Sequence, residues 1–378
     1  MSPHTSSPRV SSLPTPPSLG VIEAFYGRPW TVPARLAMLE ELATLGYRYY
    51  VYAPKSDRKL RADWQQPWST GELEQLQLLV QRGKAANIAV GVGFSPLGLH
   101  TLDGAAARAL DAKAQQLGEL GASRLYILFD DMQASGDAMA SNQLRIVEFI
   151  CQRAAIDAIV VCPSYYSTDP VLEKIFGPRP AAYWRELGQG LDSSAGIFWT
   201  GEQVCSKEFT QDNLEYIAEQ FQRLPTLWDN YPVNDSEKMC QHLHLLPFAQ
   251  RHAWLSDYIA AHYANPMNQA YLSLLPLATL PAVYDFGRLL PPSGQGGNAH
   301  DSPLQQRWLE QLARLPAGLA NCLQRDASDF QQAGLDHWSL AQRQQLALEY
   351  AAYDSPVAQE VAAWLHGEFA FDPACLTD

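Results

Sequence analysis

The stretch SRLYILFDDM, residues 123–132, joins an apolar strand pattern to two consecutive carboxylates, Asp130 and Asp131. Neighbouring side chains of a regular strand point to opposite faces, so both aspartates reach one pocket only if the strand ends and the chain turns there. Two crowded carboxylates repel each other, which favours one charged and one protonated member near neutral pH. The alternative is that one aspartate caps the next helix. The distance to the next helical pattern, near Ser141, weakens that alternative and favours a catalytic pair.

The rest of the chain repeats the same strand-to-loop pattern. Short apolar runs alternate with amphipathic stretches from Leu19 onwards, which is typical of βα units and a parallel sheet. We predict strands near residues 20–25, 47–53, 88–94, 123–129, 158–162, 196–199, 226–228 and 258–263. We predict helices between them, for example over 33–45, 71–86, 105–120, 142–154 and 213–223, from apolar residues at three- and four-residue spacing. The predicted fold class is α/β, a (β/α)8 TIM barrel, whose catalytic residues lie at the carboxyl ends of the strands.

A segment rich in proline and glycine, PPSGQGGNAHDSP at residues 291–303, is the best candidate for a domain boundary. We predict a disordered leader over 1–18, a catalytic barrel over 19–290, a linker over 291–303 and a small helical region over 304–378. The last region shows two or three helical patterns, such as 304–315 and 340–353, and no strand between them. Trp308, Leu312 and Leu315 form an apolar stripe that we expect to pack on the barrel or on a second subunit.

Composition and charge exclude several partners. The net charge of −13 argues against nucleic acid and anionic membranes, because phosphate binding needs clustered lysine and arginine. No run approaches the roughly 20 apolar residues of a membrane helix. Residues 1–18 are rich in serine, threonine and proline and have no apolar signal core. We therefore expect a cytoplasmic protein.

Metal and nucleotide sites are also disfavoured. The six cysteines show no CxxC spacing. His242 and His244 lie two residues apart, but the sequence offers no third ligand beside them. The GVG at residues 91–93 lacks the third glycine of a dinucleotide fingerprint. We predict neither a metal nor a cofactor.

Polar and aromatic residues follow the other predicted strands. They occur in EAFYGRPW (23–30), YAPKSD (52–57), CPSYY (162–166), WTG (199–201), WDNY (228–231) with ND (234–235), and NP (265–266). Taken singly, Lys55 is typical of a surface lysine, and Tyr166 and Trp228 are typical of core aromatics. Asn230 and its neighbours in the same loop have turn character. Gathered at one rim, these groups favour a neutral polyhydroxylated ligand, and a sugar is the natural candidate.

The ordered motifs resemble a known family. GVIEAFYGRPW, YAPKSD, LFDDM, WTG followed by SKE, and LWDNYPVND are similar to the family 84 glycoside hydrolases, the group of O-GlcNAcases and bacterial β-N-acetylglucosaminidases. The resemblance covers about residues 19–290. It implies a (β/α) barrel, in agreement with the predicted strands.

The resemblance implies a role for each acid. Asp130 would hold and polarise the N–H of the substrate's 2-acetamido group, and Asp131 would be the general acid and base. The acetamido oxygen would attack the anomeric carbon and form an oxazoline intermediate, with net retention of configuration. This route is an exception to the two-carboxylate scheme of most glycosidases.

The resemblance also implies binding residues and shows two departures. Tyr166 would contact the acetamido group, Trp228 would line its pocket, Asn230 would support the acid pair, and Lys55, Asp235 and Asn265 would bind sugar hydroxyls. Ala24 replaces the usual glycine, a position that contacts the sugar through its carbonyl; the added methyl group could narrow the pocket. Ser56 replaces the usual aspartate after the lysine, which would reduce the negative charge near Lys55.

These observations predict a retaining β-N-acetylglucosaminidase that removes terminal β-linked GlcNAc from proteins or glycans. One alternative is a non-catalytic GlcNAc-binding module, which the presence of both Asp130 and Asp131 disfavours because a binder needs no acid. Another is a hexosaminidase or hyaluronidase that acts on free glycans. We also expect a homodimer, with contacts through the helical region.

Overall fold

A computed structural model of the chain describes residues 16–156, 158–286 and 302–376. Residues 1–15 of the predicted leader and residues 291–301 of the predicted linker lie outside the described residues. Strand β1 begins at Ser18 and the first helix after the linker begins at Pro303, each at the last residue of a segment predicted as leader or linker.

Parallel strands form a closed barrel in the order β1 to β8, and β1 pairs with β8 to complete it. The strands are β1 Ser18–Glu23, β2 Tyr49–Tyr52, β3 Ala89–Phe94, β4 Arg124–Leu128, β5 Ile159–Cys162, β6 Gly196–Trp199, β7 Thr226–Asp229 and β8 Ala261–Ala264. The predicted TIM-barrel fold is thus confirmed. The eighth strand begins three residues later than predicted, because Tyr258 still caps a short 3₁₀ helix over Ala253–Asp257.

Helices cover the outside of the barrel. They are α1 Val32–Thr44, α2 Thr70–Ala85, α3 Gly104–Glu119, α4 Met139–Ala154, α5 Pro170–Phe176, α6 Tyr183–Gly190, α7 Gln211–Phe221, α8 Ala270–Leu277 and α9 Leu280–Phe286. The prediction named no helix between β5 and β6, where α5 and α6 lie, because both are short. Among the described residues, no helix has the length and apolar character needed to span a bilayer.

Aromatic rings fill the interior of the barrel. The rings of Tyr126, Phe198 and Tyr263 contact one another at centroid distances of 5.3 to 5.9 Å. Glycine makes room for them: a Cβ atom at Gly20 would lie 2.4 Å from the Tyr263 ring, and one at Gly91 would lie 2.3 Å from the Tyr126 ring. The interior of the barrel is therefore a packed core, and a ligand has room at the rim formed by the carboxyl ends of the described strands.

The described part of the C-terminal region contains four helices, so the expectation of two or three was too low. They are α10 Pro303–Leu312, α11 Ala317–Gln332, α12 Leu340–Ala351 and α13 Pro356–Leu365. Trp308 and Leu312 of the predicted stripe are buried in a second apolar core, and Leu315 packs against it. That core also includes Leu243 and Leu272 from the barrel. The helical region therefore packs directly on the β7 and β8 side of the barrel.

Candidate active site

All nine site residues predicted from the sequence line one cavity of about 300 Å³ at the carboxyl ends of the strands. They are Ala24, Lys55, Asp130, Asp131, Tyr166, Trp228, Asn230, Asp235 and Asn265. Parallel strands bring them together because every strand of a closed barrel ends at the same rim.

The acid pair lies just after β4, in the turn that the sequence requires. The strand ends at Leu128, and Asp131 adopts a left-handed backbone conformation with φ of +60°. Aspartate tolerates this conformation better than most residues with a Cβ atom. The turn directs both carboxylates into the cavity, where their side chains are only 7% and 10% exposed.

Two cations face the two carboxylates. Lys55 forms an ion pair with Asp130, and its Nζ atom lies 3.8 Å from Asp131 Oδ2. Arg61 donates from Nη2 to Asp131 Oδ2 at 3.3 Å. These cations offset the repulsion between the adjacent carboxylates. Asp130 Oδ1 is buried and has no hydrogen-bond partner among the described residues, so it is an available acceptor inside the cavity.

Two tyrosines hold Asp131 from other strands. Tyr26, after β1, donates its hydroxyl to Oδ2 at 2.5 Å, and Tyr166, after β5, donates to Oδ1 at 3.3 Å. Burial, and to a smaller extent the charge of Asp131, raises the pKa of both phenols above the usual value for tyrosine. Both hydroxyl groups therefore keep their protons and act as donors to the carboxylate.

Asp235 lies in the same cavity, in the loop after β7. Its Oδ2 atom accepts the backbone N–H of Tyr26 at 2.8 Å. Burial raises the pKa of Asp235 to about 6, although the N–H of Tyr26 partly opposes this shift. Asp235 therefore changes its charge close to neutral pH.

An amide network links the ends of β7 and β8. Asn230 accepts Trp228 Nε1–H at 2.9 Å and Asn265 Nδ2–H at 3.0 Å, and it donates to the carbonyl of Val204 at 2.7 Å. These bonds fix the Trp228 ring in the wall of the cavity. Among the described residues, Asn230 makes no hydrogen bond to Asp130 or Asp131, so it can act on the acid pair only through the residues that it contacts.

A buried ion cluster supports the same two strands. The Asp229 carboxylate accepts bonds from Arg251 at 2.6 and 2.7 Å, and the His262 ring lies 2.9 Å away. Burial opposes ionisation of Asp229, but the contacts with Arg251 and His262 outweigh burial and lower its pKa. Because the Asn265 N–H donates to the carbonyl of Asp229 at 2.8 Å, this cluster holds the rim of the cavity in place.

The two departures from the family pattern differ in position. Ala24 is buried and lines the cavity, and its N–H lies 3.4 Å from Asn265 Oδ1. Its backbone therefore contacts a residue predicted to bind the sugar. Ser56 is exposed and lines a separate surface cleft behind β2. Ser56 is thus not among the described residues that line the catalytic cavity.

The structure adds residues that the sequence predictions did not include in the site. Tyr26 lies only two positions after Ala24 within a quoted motif, so its place after β1 was an available signal. Arg61 lies six positions after Lys55 in a long loop, and nothing in the loop's pattern indicates that it returns to the pocket. Cys375 lines the cavity from the C-terminal segment, which carries no recognised motif. Within the described ranges, no cluster of three or more histidine, cysteine or acidic residues could hold a metal ion.

A (β/α)8 barrel with paired carboxylates in an aromatic pocket at its carboxyl rim is the arrangement expected of a barrel glycoside hydrolase. The sequence model described as NAGidase, beta-N-acetylglucosaminidase, matches residues 19–286. The chain belongs to this family, which confirms the resemblance in the motifs.

Curated relatives include the Protein O-GlcNAcase of Rattus norvegicus and that of Mus musculus. Each is 28% identical over 275 residues, which is 70% of this chain and 30% of the relative. The chain therefore spans less than a third of the length of these relatives.

Solved structures are similar over most of the chain. A mutant of the Thermobaculum terrenum O-GlcNAc hydrolase has 27% identity and a TM-score of 0.69, covering 92% of this chain and 80% of its own. The protein CpGH84B has a TM-score of 0.72 over 93% of this chain and 66% of its own, and at 19% identity it supports the fold alone.

Proposed function

We propose that the chain is a retaining β-N-acetylglucosaminidase that uses the acetamido group of its substrate as the nucleophile. The observation that carries the proposal is the acid pair: Asp130 and Asp131 are consecutive, share one cavity, and leave Asp130 Oδ1 available as a buried acceptor. An acceptor at that position suits the N–H of a 2-acetamido group.

The adjacency of the two acids argues against the ordinary two-carboxylate mechanism. That mechanism places its carboxyl groups on opposite sides of the sugar, about 5 to 5.5 Å apart for retention and about 6.5 to 9.5 Å apart for inversion. Asp130 and Asp131 enter the cavity from a single turn after β4. They therefore approach the sugar from one side, which supports a nucleophile that the substrate itself supplies on the other side.

In the first step, the acetamido oxygen forms a bond to the anomeric carbon as the bond to the leaving oxygen breaks. Asp131 gives its proton to that leaving oxygen. Asp130 accepts a hydrogen bond from the acetamido N–H, which increases the electron density on the attacking oxygen. As the ring forms, the acetamido N–H proton passes to Asp130, so the products are a neutral oxazoline and the free hydroxyl of the aglycone.

In the second step, Asp131 is a carboxylate and removes a proton from water. The water oxygen bonds to the anomeric carbon, and the bond to the oxazoline oxygen breaks. The nitrogen takes its proton back from Asp130, which restores the acetamido group. Two displacements at one carbon retain its configuration. General acid and base help of this kind is worth on the order of 10² to 10⁴ in rate.

The size of the cavity supports a small sugar substrate. A volume of about 300 Å³ fits one sugar residue better than a chain of them. We propose that the substrate is a terminal β-linked GlcNAc on a protein or a glycan. The names of the relatives, Protein O-GlcNAcase and O-GlcNAc hydrolase, support the protein-linked form. We further propose that the protein is cytoplasmic.

The test is hydrolysis of an aryl β-N-acetylglucosaminide by the wild type and by Asp130→Asn, with and without a thiazoline mimic of the oxazoline. We expect turnover that the mimic blocks and a loss of about 10²-fold or more in the variant. Asp137→Asn is the matched control, because Asp137 lies exposed in the same loop. Tight binding of the mimic without turnover would instead support a GlcNAc-binding module.

The role of Asp131 is tested by the leaving group. Asp131→Asn should lose most turnover of substrates with poor leaving groups, since these need the proton, and should keep more activity on aryl groups that leave as stable anions. Unchanged turnover of a poor leaving group would contradict the assignment.

A further inference from the structure

The segment after α13, residues 366–375, runs back over the barrel and ends at the catalytic cavity. Cys375 is 8% exposed and lines the cavity together with Asp235 and Tyr26. We propose that this C-terminal segment is a specificity-determining wall that closes the cavity at the non-reducing end of the sugar. The segment would restrict hydrolysis to GlcNAc without a further sugar attached. This inference rests on the proposed function.

Contacts with the loop after β1 hold the C-terminal segment in place. Glu368 forms an ion pair with Arg28 at 3.5 Å, and the Arg28 guanidinium lies 5.4 Å from the centroid of the Phe369 ring. The Ala370 carbonyl oxygen lies 3.6 Å from where a Cβ atom of Gly27 would stand. The segment therefore lies directly against the two residues that follow Tyr26.

Helix α13 fixes the start of the segment on the same side of the barrel. Trp364 donates from Nε1 to the Cys240 carbonyl in the loop after β7, at 3.1 Å. Glu360 accepts the backbone N–H groups of Tyr271 and Leu272 at the start of α8, at 3.1 and 2.8 Å. Helix α13 is thus anchored beside β7 and β8, and the segment that follows it is anchored to the loop after β1. These contacts hold the segment at the rim.

The position of Tyr26 shows which end of the sugar the segment meets. Its backbone N–H binds Asp235 and its hydroxyl binds Asp131, so the side chain spans the cavity from one wall to the other. Since the segment contacts the neighbours of the Tyr26 backbone, it lies at the Asp235 wall. The Asp131 wall is on the far side, where β4 stands opposite β8 in the ring.

The chemistry orients the sugar between these walls. Asp131 has to reach the glycosidic oxygen at carbon 1, so carbon 1 faces the Asp131 wall. The hydroxyl groups on carbons 3 and 4 are at the opposite side of a pyranose ring and face the Asp235 wall. A sugar attached there would have to occupy the space of the C-terminal segment.

The experiment compares two aryl β-glycosides, one of GlcNAc and one of N-acetyllactosamine, which carries galactose on the hydroxyl of carbon 4. Because the enzyme cannot first remove galactose, release of the aryl group reports binding of the extended sugar. The protein is tested as the full chain and as a chain that ends at Glu368. We expect the truncation to raise the ratio of lactosaminide to glucosaminide kcat/KM by about tenfold or more.

A point variant covers the case in which truncation impairs folding. Arg28→Ala removes both side-chain contacts that hold the segment, with Glu368 and Phe369. Arg307→Ala is the matched control, because Arg307 is similarly exposed and pairs with Glu310 at 3.0 Å on α10. The substrate ratio should rise in the Arg28 variant and stay at the wild-type value in the control.

Each outcome decides the proposal. A higher ratio in the truncated chain supports the wall, as does a higher ratio in Arg28→Ala if the truncated chain does not fold. If the truncated chain keeps its glucosaminide activity and its substrate ratio is unchanged, the wall is wrong. The wall is also wrong if only Arg28→Ala folds and its substrate ratio equals that of the control. If the wild type does not cleave the glucosaminide, the proposed function fails. Calorimetry then tests the wall by itself: truncation should increase the binding of N-acetyllactosamine relative to GlcNAc, and an unchanged relative binding would contradict the wall.

Discussion

The Tyr26 hydroxyl donates to Asp131 Oδ2 at 2.5 Å, which makes a residue after β1 a direct partner of the acid after β4. The phenol is buried and keeps its proton, because burial and the charge of Asp131 raise its pKa. The guanidinium of Arg61 lies 5.4 Å from the centroid of the same ring and also contacts Asp131. Tyr26 and Arg61 therefore determine where Asp131 points.

We expect Tyr26→Phe to lower kcat for a poor leaving group by about tenfold, equivalent to about 1.4 kcal/mol. The variant keeps the ring but loses the bond that holds Asp131, and hydrogen bonds to charged groups are worth about 1.5 to 3 kcal/mol. KM should change little, since the backbone N–H that binds Asp235 remains. Tyr216→Phe is the control, because Tyr216 is 44% exposed. Equal kcat in the two variants would contradict this role.

Arg61→Met should lower kcat on an aryl β-N-acetylglucosaminide by about tenfold, equivalent to about 1.4 kcal/mol. The variant loses the bond from Arg61 Nη2 to Asp131 Oδ2 at 3.3 Å, and a hydrogen bond to a charged group is worth about 1.5 to 3 kcal/mol. The other groups that face Asp131 are Lys55, Asp130 and the hydroxyls of Tyr26 and Tyr166, all retained in the variant.

The control for Arg61→Met is Arg58→Met. Arg58 lies in the same loop, but its side chain is 69% exposed and pairs with Asp63. The kcat values of the wild type and both variants on one aryl substrate give the measurement. A kcat that is unchanged in Arg61→Met, or lowered equally in both variants, would show that Arg61 does not act on the acid.

The barrel was predictable from the sequence because both faces of its strands are buried. Strand β4, for example, is apolar along nearly its whole length, as expected when helices cover a parallel sheet. The turn at Asp131 was also predictable, since adjacent strand side chains cannot otherwise share a pocket. Short helices such as α5 gave too little periodicity to be recognised.

The partners within the site were less predictable than its members. Nothing in a linear pattern indicates that Arg61 returns to the acid pair or that Cys375 reaches the cavity, because loop paths depend on contacts far apart in the chain. The bond between Tyr26 and Asp131 joins residues 105 positions apart. Spacing rules describe local structure, so they do not contain that information.

Asp235→Asn should stabilise the fold above about pH 6 and weaken sugar binding. Burial raises the pKa of Asp235 to about 6, whereas an unfolded aspartate has a pKa near 3.9. The native state therefore binds this proton more tightly, and stability falls as pH rises between these values. Asparagine removes that loss while keeping an acceptor for the Tyr26 N–H.

The gain should be about 1 to 3 kcal/mol in unfolding free energy near pH 8, since one pKa unit corresponds to about 1.4 kcal/mol. Denaturant titrations of wild type and variant at about pH 8 and about pH 4 measure it, and the difference should shrink at the lower pH. A difference that is the same at both values would mean that Asp235 does not titrate as described.

Asp229→Ala should destabilise the protein by about 3 to 5 kcal/mol, because it leaves a buried cation without its counter-ion. Arg251 is almost fully buried and makes two of its bonds to this carboxylate. Glu349→Ala is the control: it removes a partner of Arg325 in a half-exposed pair, and exposed pairs contribute about 1 kcal/mol or less. Urea unfolding of the variants gives both values. Replacing Arg251 by Met in the Asp229→Ala background should recover part of the lost unfolding free energy, since the unpaired buried charge is then gone. If the second substitution recovers nothing, the loss comes from the cavity that the carboxylate leaves and not from the charge.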